Sequence, residues 1–422
     1  MLLHASRLYM IIRFLTALAN STMFTTYAIF YIEELGFHPL QLLLVGMVLE
    51  GTVLIFEGIT GVVADTYSRR VSIISGMFVL GIGFLLQGAT PLLEASIPLL
   101  TAFVWILLAQ VICGIGYTLI SGADQAWIVD EVGSDKLGNL FMQAQRHSLL
   151  ATLLGIALSV VLSSLAAHLP YLIGGLLHVG LGFFLLVSMK ETRFARAKRI
   201  AGSSHWKEMK ATWLAGIRVI RIQPVLLLLL IVTVCSGAAS EGYDRLWEAH
   251  LIMEIGFPPD GGLSMPMWFG LIAAISTLIS LFSVKWAEKR FDLQNERVVI
   301  RAMFTLTALQ IAAVGSFALA PTFGWALVSV LAAGAIRSLV QPVYDTWLNL
   351  NVDSKVRATV LSMMSQTDAL GQTAGGPFVG WVGSRVSIRA SLLLAAALLS
   401  PILHVCMRVR PKREASDRRQ IT

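Results

Sequence analysis

Charge is what this chain has least of. Only 14% of its 422 residues are Asp, Glu, Lys or Arg, against roughly 25% in a soluble domain. With so little charge, and a mean hydropathy of +0.74, the chain is expected to use lipid as its solvent. Cysteine is scarce too. Cys113, Cys235 and Cys406 all fall inside apolar runs, an odd set that excludes a disulfide framework and matches no metal-ligand spacing. The eight histidines are scattered, with no His-Glu-x-x-His pair. There is no Gly-x-Ser-x-Gly nucleophile and no Gly-x-x-x-x-Gly-Lys-(Ser/Thr) phosphate loop. No enzyme is expected from this inventory, nor any metal or organic cofactor, and ATP is not the evident energy source.

What the chain does have is long hydrophobic runs. Segments of about 20 apolar residues suffice to cross a bilayer. They fall near 9–32, 40–63, 72–90, 99–122, 143–166, 170–189, 224–250, 266–286, 299–319, 324–345, 358–382 and 390–407. Each must satisfy its own backbone hydrogen bonds in lipid, so all twelve are expected to be helices. The first is long enough to span and is followed by no clear small-residue cleavage site, so it is expected to be retained.

The net charge of +7 is distributed by side. With the N-terminus placed in the cytoplasm, Arg69, Arg70, Lys136, the 190–223 connection, Lys285–Arg301, Lys355, Arg357 and the tail from Arg408 all face inward. This is the positive-inside pattern, and it puts both termini in the cytoplasm of a plasma membrane. The basic excess is thus a topology signal, and nucleic acid is not an expected partner. The connection also holds Trp206, Trp213, Ile217 and Ile220 at a spacing that suits either an amphipathic surface helix or a solvated linker. The expected organisation is a bundle over 1–189, a linker over 190–223, a second bundle over 224–407 and a basic tail over 408–422.

The two bundles look like copies. Glu34-Leu-Gly36-Phe37-His-Pro39 recurs as Glu254-Ile-Gly256-Phe257-Pro-Pro259, an offset of 220 residues. At that offset Arg70 meets Arg290, Gly114 meets Gly334, Trp127 meets Trp347 and Gly155 meets Gly375. Parallel six-helix repeats are the plan of one large class of transporters.

Between the second and third spans lies Gly61-Val-Val-Ala-Asp65-Thr-Tyr-Ser-Arg69-Arg70. This resembles the Gly-x-x-x-Asp-(Arg/Lys)-x-Gly-(Arg/Lys)-(Arg/Lys) stretch of the major facilitator superfamily, with Thr66 and Ser68 as departures. The second-half counterpart has Lys285 where Asp65 stands. Further likeness lies in Ser121-Gly-Ala-Asp124-Gln-Ala-Trp127-Ile-Val-Asp130-Glu131, and in Gln341-Pro342…Trp347-Leu-Asn349 with Arg357-Ala-Thr-Val-Leu-Ser362. These resemble bacterial drug:proton antiporters. One departure is that Gly155 is followed by Ile156, where family antiporters often carry Gly-Pro.

The resemblance implies an all-α polytopic protein of two pseudo-symmetric six-helix bundles, the major facilitator fold. It implies that the motif is a cytoplasmic gate of Gly61, Asp65, Arg69, Arg70, Asp124 and Asp130. Asp65 would meet the start of the eleventh helix near Arg357–Ser362, and Arg69 or Arg70 would pair with Asp65, Asp124 or Asp130. A glycine at the position of Ser68 would allow a positive φ in the turn, so Ser68 leaves the turn geometry open.

An ionisable residue within a span costs roughly 2.5–3.5 kcal/mol on insertion scales and is a functional hypothesis by default. Glu50, Glu57, Glu241, Asp244, Arg245 and Arg337 are the proton-coupling or substrate candidates, with Arg13, Asn20, Asp345 and Asp368 as further cavity-lining candidates. Glu241–Arg245 and Asp244–Glu248 are both i, i+4 and could each pair on one helix face. Arg337 has no carboxylate nearby in sequence and needs a partner or an anionic ligand from another helix. The expected function is proton-coupled export of a hydrophobic or cationic small molecule by a monomer in a bacterial inner membrane, driven by an ion gradient. The alternatives are ion-coupled nutrient uptake, export of an anionic metabolite, lipid or siderophore, and, much further off, a membrane receptor or scaffold that transports nothing.

Overall fold

A computed structural model describes residues 4–97, 99–132, 137–192, 224–258, 262–290, 295–352 and 357–409. Within these, the side chains of residues 62, 63, 65, 66, 137–139, 224, 288–290, 349, 357–359 and 362 are not described. The linker from 193 to 223 and the tail from 410 therefore lie outside the described residues.

Every regular element among the described residues is helical. The first span is Ala5–Phe24, continued by Tyr27–Ile29 and a π turn, Phe30–Glu34. The second is Pro39–Thr66, the third Arg69–Gly88, and the fourth Ala102–Ile120 with Ala123–Val132 beyond a bend. The fifth is Leu137–Leu165 and the sixth Leu169–Ser188. The seventh is Pro224–His250 with a π turn, Leu251–Ile255. The eighth to eleventh are Met265–Arg290, Glu296–Ala318, Phe323–Asn351 and Arg357–Arg385. The twelfth is Ile388–Leu398 continued by Ser400–Arg408.

Among the described residues, ten of these helices are long and apolar enough to cross a membrane. A helix stands at each of the twelve expected spans. The first and eleventh are helices of similar length but are not among the ten. Arg7 and Arg13 dilute the first, and Arg357, Asp368 and Arg385 the eleventh, so their polar faces need protein or water around them rather than lipid.

Local chemistry sets the ends. Ser68, Asn295, Thr322 and Ser387 stand at N-caps with extended backbone. Each side chain accepts an N–H from the first turn, at 3.1 Å from Val71, 3.0 Å from Arg297, 3.4 Å from Trp325 and 3.1 Å from Ala390. Such caps satisfy donors that the helix itself cannot. Gly36 and Gly256 close the two π turns at φ of 67° and 75°, a region where a side chain is strained.

The chain forms two compact units. One holds the described residues of 1–41, 48–205 and 262–274; the other those of 42–47, 206–261 and 275–422. In each, a buried apolar core gathers around one tryptophan, and several positions of the two cores match at the 220-residue offset. Tyr9, Ile12, Trp127, Ile128, Leu140, Leu185 and Met189 sit in the first core. Leu229, Val232, Trp347, Leu348, Val360, Val405 and Val409 sit in the second.

Backbone approach repeats as well. A Cβ on Gly155 would lie 2.7 Å from the Leu18 carbonyl oxygen, and one on Gly375 2.7 Å from Ala238 Cα. These positions hold the first helix against the fifth and the seventh against the eleventh. The outer turns repeat too. Glu34 meets His168 Nδ1 at 2.6 Å at the start of the sixth helix. Glu254 accepts the Ile388 N–H at 3.0 Å and Arg389 Nε at 3.1 Å at the start of the twelfth. A carboxylate suits a helix N-terminus because the macrodipole is positive there.

Candidate functional site

Two sets of charged groups stand out, one in each unit.

In the first unit the motif between the second and third helices is a clamp. Ser68 is extended, at φ −176°, and no non-glycine residue among those described has positive φ. The turn thus needs no glycine, because Ser68 works as the N-cap of the third helix. Glu191 covers the same helix end, accepting Ser68 Oγ at 2.5 Å and the Arg69 N–H at 2.8 Å. Arg69 donates to the Ala126 carbonyl at 3.0 Å and makes an ion pair with Asp130. Arg70 donates from Nε to the Met189 carbonyl at 2.7 Å and from Nη2 to the Leu186 carbonyl at 2.8 Å. A guanidinium there offsets the negative end of the sixth helix.

The motif's two cations thus tie the third helix to the ends of the fourth and sixth. Of the partners expected for Arg69, Asp130 is the one that the described side chains show in an ion pair. Asp124 is taken up elsewhere: it is buried, accepts the Gln125 N–H at 2.7 Å, and lies in the field of Arg13. The Asp65 side chain and its expected meeting with Arg357–Ser362 lie outside the described residues. Gly61 has open space where a Cβ would stand, so no close packing requires it.

In the second unit the charges lie within the spans. Arg337 on the tenth helix and Asp244 on the seventh form a two-pronged ion pair, Nη2 to Oδ2 at 2.6 Å with Nη1 on Oδ1. Planar forks of this kind are the strong form of the arginine–carboxylate bond. Arg337 was expected to need a partner from another helix, and Asp244 is that partner. Glu248, the expected i, i+4 neighbour of Asp244, is buried on the same helix. The other expected pair is present: Arg245 Nε donates to Glu241 at 3.0 Å. Glu241 is buried, packed over Gly46, where no Cβ would fit.

Asp368 on the eleventh helix accepts Gln372 Nε2 at 2.8 Å and also lies in the field of Arg337. Asp345 is exposed and accepts Gln341 Nε2 at 2.9 Å. Next to Arg337 a cavity of about 70 Å³ is lined by Ser240, Tyr243, Thr307 and Gln310 among others. Its lining is mostly apolar, with Met303, Val314, Val340, Leu399 and Ile402 around those polar groups. Side-chain exposure of 46% for Arg337 and 40% for Asp244 leaves the pair open to a small molecule or to water.

The remaining candidates are dispersed. Glu57 accepts Ser121 Oγ at 3.5 Å, the edge of a hydrogen bond. Glu50 is half-buried in the second helix. Asn20 on the first helix has its side-chain oxygen buried without a hydrogen-bond partner. Sequence reasoning missed Glu191 and Glu254. Glu191 follows directly on the sixth span, and Glu254 stands inside the repeated six-residue motif; each was visible as an acid at the end of an apolar run.

No group of three or more His, Cys, Asp or Glu among the described residues could hold a metal.

Known proteins of similar sequence and structure point one way. A Major Facilitator Superfamily model matches residues 9–367. The chain is 24% identical over 385 residues to the uncharacterized MFS-type transporter YxaM of Bacillus subtilis (strain 168), covering 90% of each. It is 25% identical over 366 residues to the multidrug resistance protein MdtH of Blochmanniella pennsylvanica (strain BPEN), covering 85% of this chain and 81% of that one. Among solved structures, a mutant form of the nucleoside transporter NupG superposes with a TM-score of 0.75 at 15% identity, over 96% of this chain and 99% of that one. A bacterial homolog of the human lysosomal transporter Spinster, inward-facing and unoccupied, gives 0.70 at 15% identity over 95% of each.

Proposed function

The chain belongs to the Major Facilitator Superfamily, and we propose that it is a secondary active transporter that exports a hydrophobic or cationic small molecule in exchange for protons. The observation that carries this reading is the Arg337–Asp244 pair. It is held within two membrane helices yet open on one side. The pair is neutral as it stands. A proton on Asp244 releases the guanidinium, and so does a substrate cation that takes the arginine's place. One carboxylate cannot hold both at once, and that exclusion is the elementary requirement of an exchanger. Glu241 and Arg245, one turn away, cancel each other, so Asp244 carries the exchangeable charge. Each charge moved across 100 mV supplies about 2.3 kcal/mol, enough to drive such a cycle.

Alternating access supplies the rest of the mechanism. The Gly61–Arg70 stretch serves as the cytoplasmic gate, with the Arg69 and Arg70 clamp as its fixed base and Asp65 as its moving contact. Both termini face the cytoplasm of a bacterial inner membrane, as the Lys and Arg bias indicates, and the transporter works as a monomer. The relative named as a multidrug resistance protein supports export.

A second reading has its own support. The exposed guanidinium of Arg337, with Arg13 in the other unit, suits an anionic metabolite, or a nutrient taken up with an ion.

Proteoliposomes with an imposed pH gradient separate the two. Transport of organic cations is expected to rise with the gradient and to lose that response in Asp244→Asn. If every cation tested ignores the gradient while an organic anion follows it, the second reading replaces the first.

A further inference from the structure

When Asp244 takes up a proton or a substrate cation, Arg337 loses its two-pronged partner while it remains within a span. A guanidinium stays charged at any physiological pH. A charge without partners inside a membrane helix is costly. The released arginine therefore needs a second place to go.

The second unit has one. The cavity of about 70 Å³ beside Arg337 lies among the seventh, ninth, tenth and twelfth helices. That is far above the roughly 10–15 Å³ that one water needs. Its wall is mostly apolar, but Arg337 itself borders it, and Ser240, Tyr243, Thr307 and Gln310 bring oxygens that can accept hydrogen bonds. Gln310 Oε1 is shut off from solvent and has no hydrogen-bond partner among the described residues. A buried acceptor left open is costly and calls for a reason. Ser240 Oγ donates to the Gly237 carbonyl at 3.0 Å, which leaves its oxygen to accept.

The first half has no such opening at the equivalent place. There Tyr117 stands at the position of Arg337 and Thr90 at that of Gln310. The Thr90 hydroxyl is tied to the Leu86 carbonyl at 3.1 Å. The open acceptor thus occurs in the half that carries the arginine.

We propose, on the exchange reading above, that Gln310 is a positioning residue of the cycle: once Asp244 is protonated or holds the substrate cation, the Arg337 guanidinium turns into this cavity and donates to Gln310 Oε1, with Ser240 Oγ beside it. The proton ends on an Asp244 oxygen, Arg337 keeps all of its own, and an ion pair is replaced by hydrogen bonds. The other titratable groups around Arg337 are Tyr243 on the seventh helix and Asp368 on the eleventh. Among the described residues the ninth and twelfth helices bring none to the cavity wall. Asp368, held by Gln372 at 2.8 Å, supplies the countercharge.

Thermal unfolding of the purified full-length protein in detergent tests this without transport. Asp244→Asn stands in for the protonated carboxyl and frees the arginine. Gln310→Met keeps the side-chain length and removes the acceptor. With Asp244 present, Gln310→Met should leave the midpoint within about 1 °C of native, because nothing donates to Gln310 there. Added to Asp244→Asn, it should lower the midpoint by about 2–4 °C, as loss of a hydrogen bond to a charged group would. Gln310→Glu added to Asp244→Asn gives Arg337 a new carboxylate and should raise the midpoint; it serves if the Met variant is not monodisperse. An equal effect of Gln310→Met in both backgrounds, or no rescue by Gln310→Glu, would overturn the assignment.

Flux separates Gln310 from the exchange itself. In proteoliposomes Gln310→Met should need about tenfold more protons for half-maximal transport, a profile moved about one pH unit toward acid, since the paired state is then favoured. If native flux ignores pH, the exchange reading fails and Gln310 with it. If native flux follows pH and Gln310→Met leaves the profile in place, the arginine does not park at Gln310 and the exchange reading stands.

Discussion

The two halves of this chain share a skeleton and divide the chemistry. At the 220-residue offset the cores, the glycine contacts, the π turns and the carboxylates that cap the sixth and twelfth helices coincide. The charges do not. Asp244 and Arg337 occupy the positions of Phe24 and Tyr117, and Glu241 and Arg245 those of Ser21 and Thr25. In the opposite sense, Arg13 and Asp124 of the first half correspond to Thr233 and Tyr344, whose hydroxyls bond at 2.5 Å. One pair of helix positions therefore carries ions in one half and neutral groups in the other. Helix packing tolerates that exchange because it depends on side-chain volume and backbone approach, whereas an ion inside a span must find a partner or a use. The divergence leaves a clamp at helix ends in one unit and a two-pronged ion pair within the spans of the other.

The sharpest way to break this comparison is at the pair itself. Asp244→Asn is expected to lower gradient-driven transport by about tenfold or more, while Asp124→Asn in the first half retains the response to the gradient; proteoliposome flux under a pH step reads both. Asp244→Asn with Arg337→Gln, which removes both charges, should express and migrate like the native protein while remaining inactive.

The next effect tests the shared skeleton. Gly155→Val and Gly375→Val each press a side chain against a neighbouring helix and should each cost about 1–3 kcal/mol of stability. Thermal unfolding in detergent should fall in both; a fall in only one would show that the repeat is not mechanical. A smaller effect is expected from Arg69→Ala, which removes the tie to Asp130 and should cost about 1 kcal/mol, with Arg69→Lys recovering part of it.

Asp65→Asn is expected to slow turnover with little change in substrate affinity, and a large loss of affinity at unchanged turnover would reassign Asp65 to the binding site. Smallest of all, Glu34→Gln should cost well under the clamp's value, while Glu254→Gln, which also faces the buried His250 at 3.2 Å, should cost somewhat more. Differential scanning fluorimetry comparing the two reads how alike the turns are.

Much of the fold was legible beforehand because a bilayer imposes simple rules. Length, hydropathy and the Lys and Arg bias give spans without any knowledge of packing. The two helices that fail the hydropathy test were still visible as spans, because the repeat demands them. The site was legible only in part. Its residues were nameable as ions in lipid, and Glu241–Arg245 followed from helical spacing. Arg337 with Asp244 did not, because the partners are 93 residues apart and spacing within one helix says nothing of which faces meet. The turn at Ser68, which the sequence left open, is decided by the local role of an N-cap, which a serine fills without positive φ.

The sequence by itself determined the solvent, the helices, the twofold repeat and the identity of the charges that had to be accounted for. It could do so because burial in lipid penalises every unpaired polar group, and that penalty shows in composition and periodicity. Only the tertiary structure decided which charge met which: Arg69 with Asp130, Arg70 with the end of the sixth helix, Arg337 with Asp244. Those choices depend on helix rotation and approach, set by the glycines and cores that bring distant segments together.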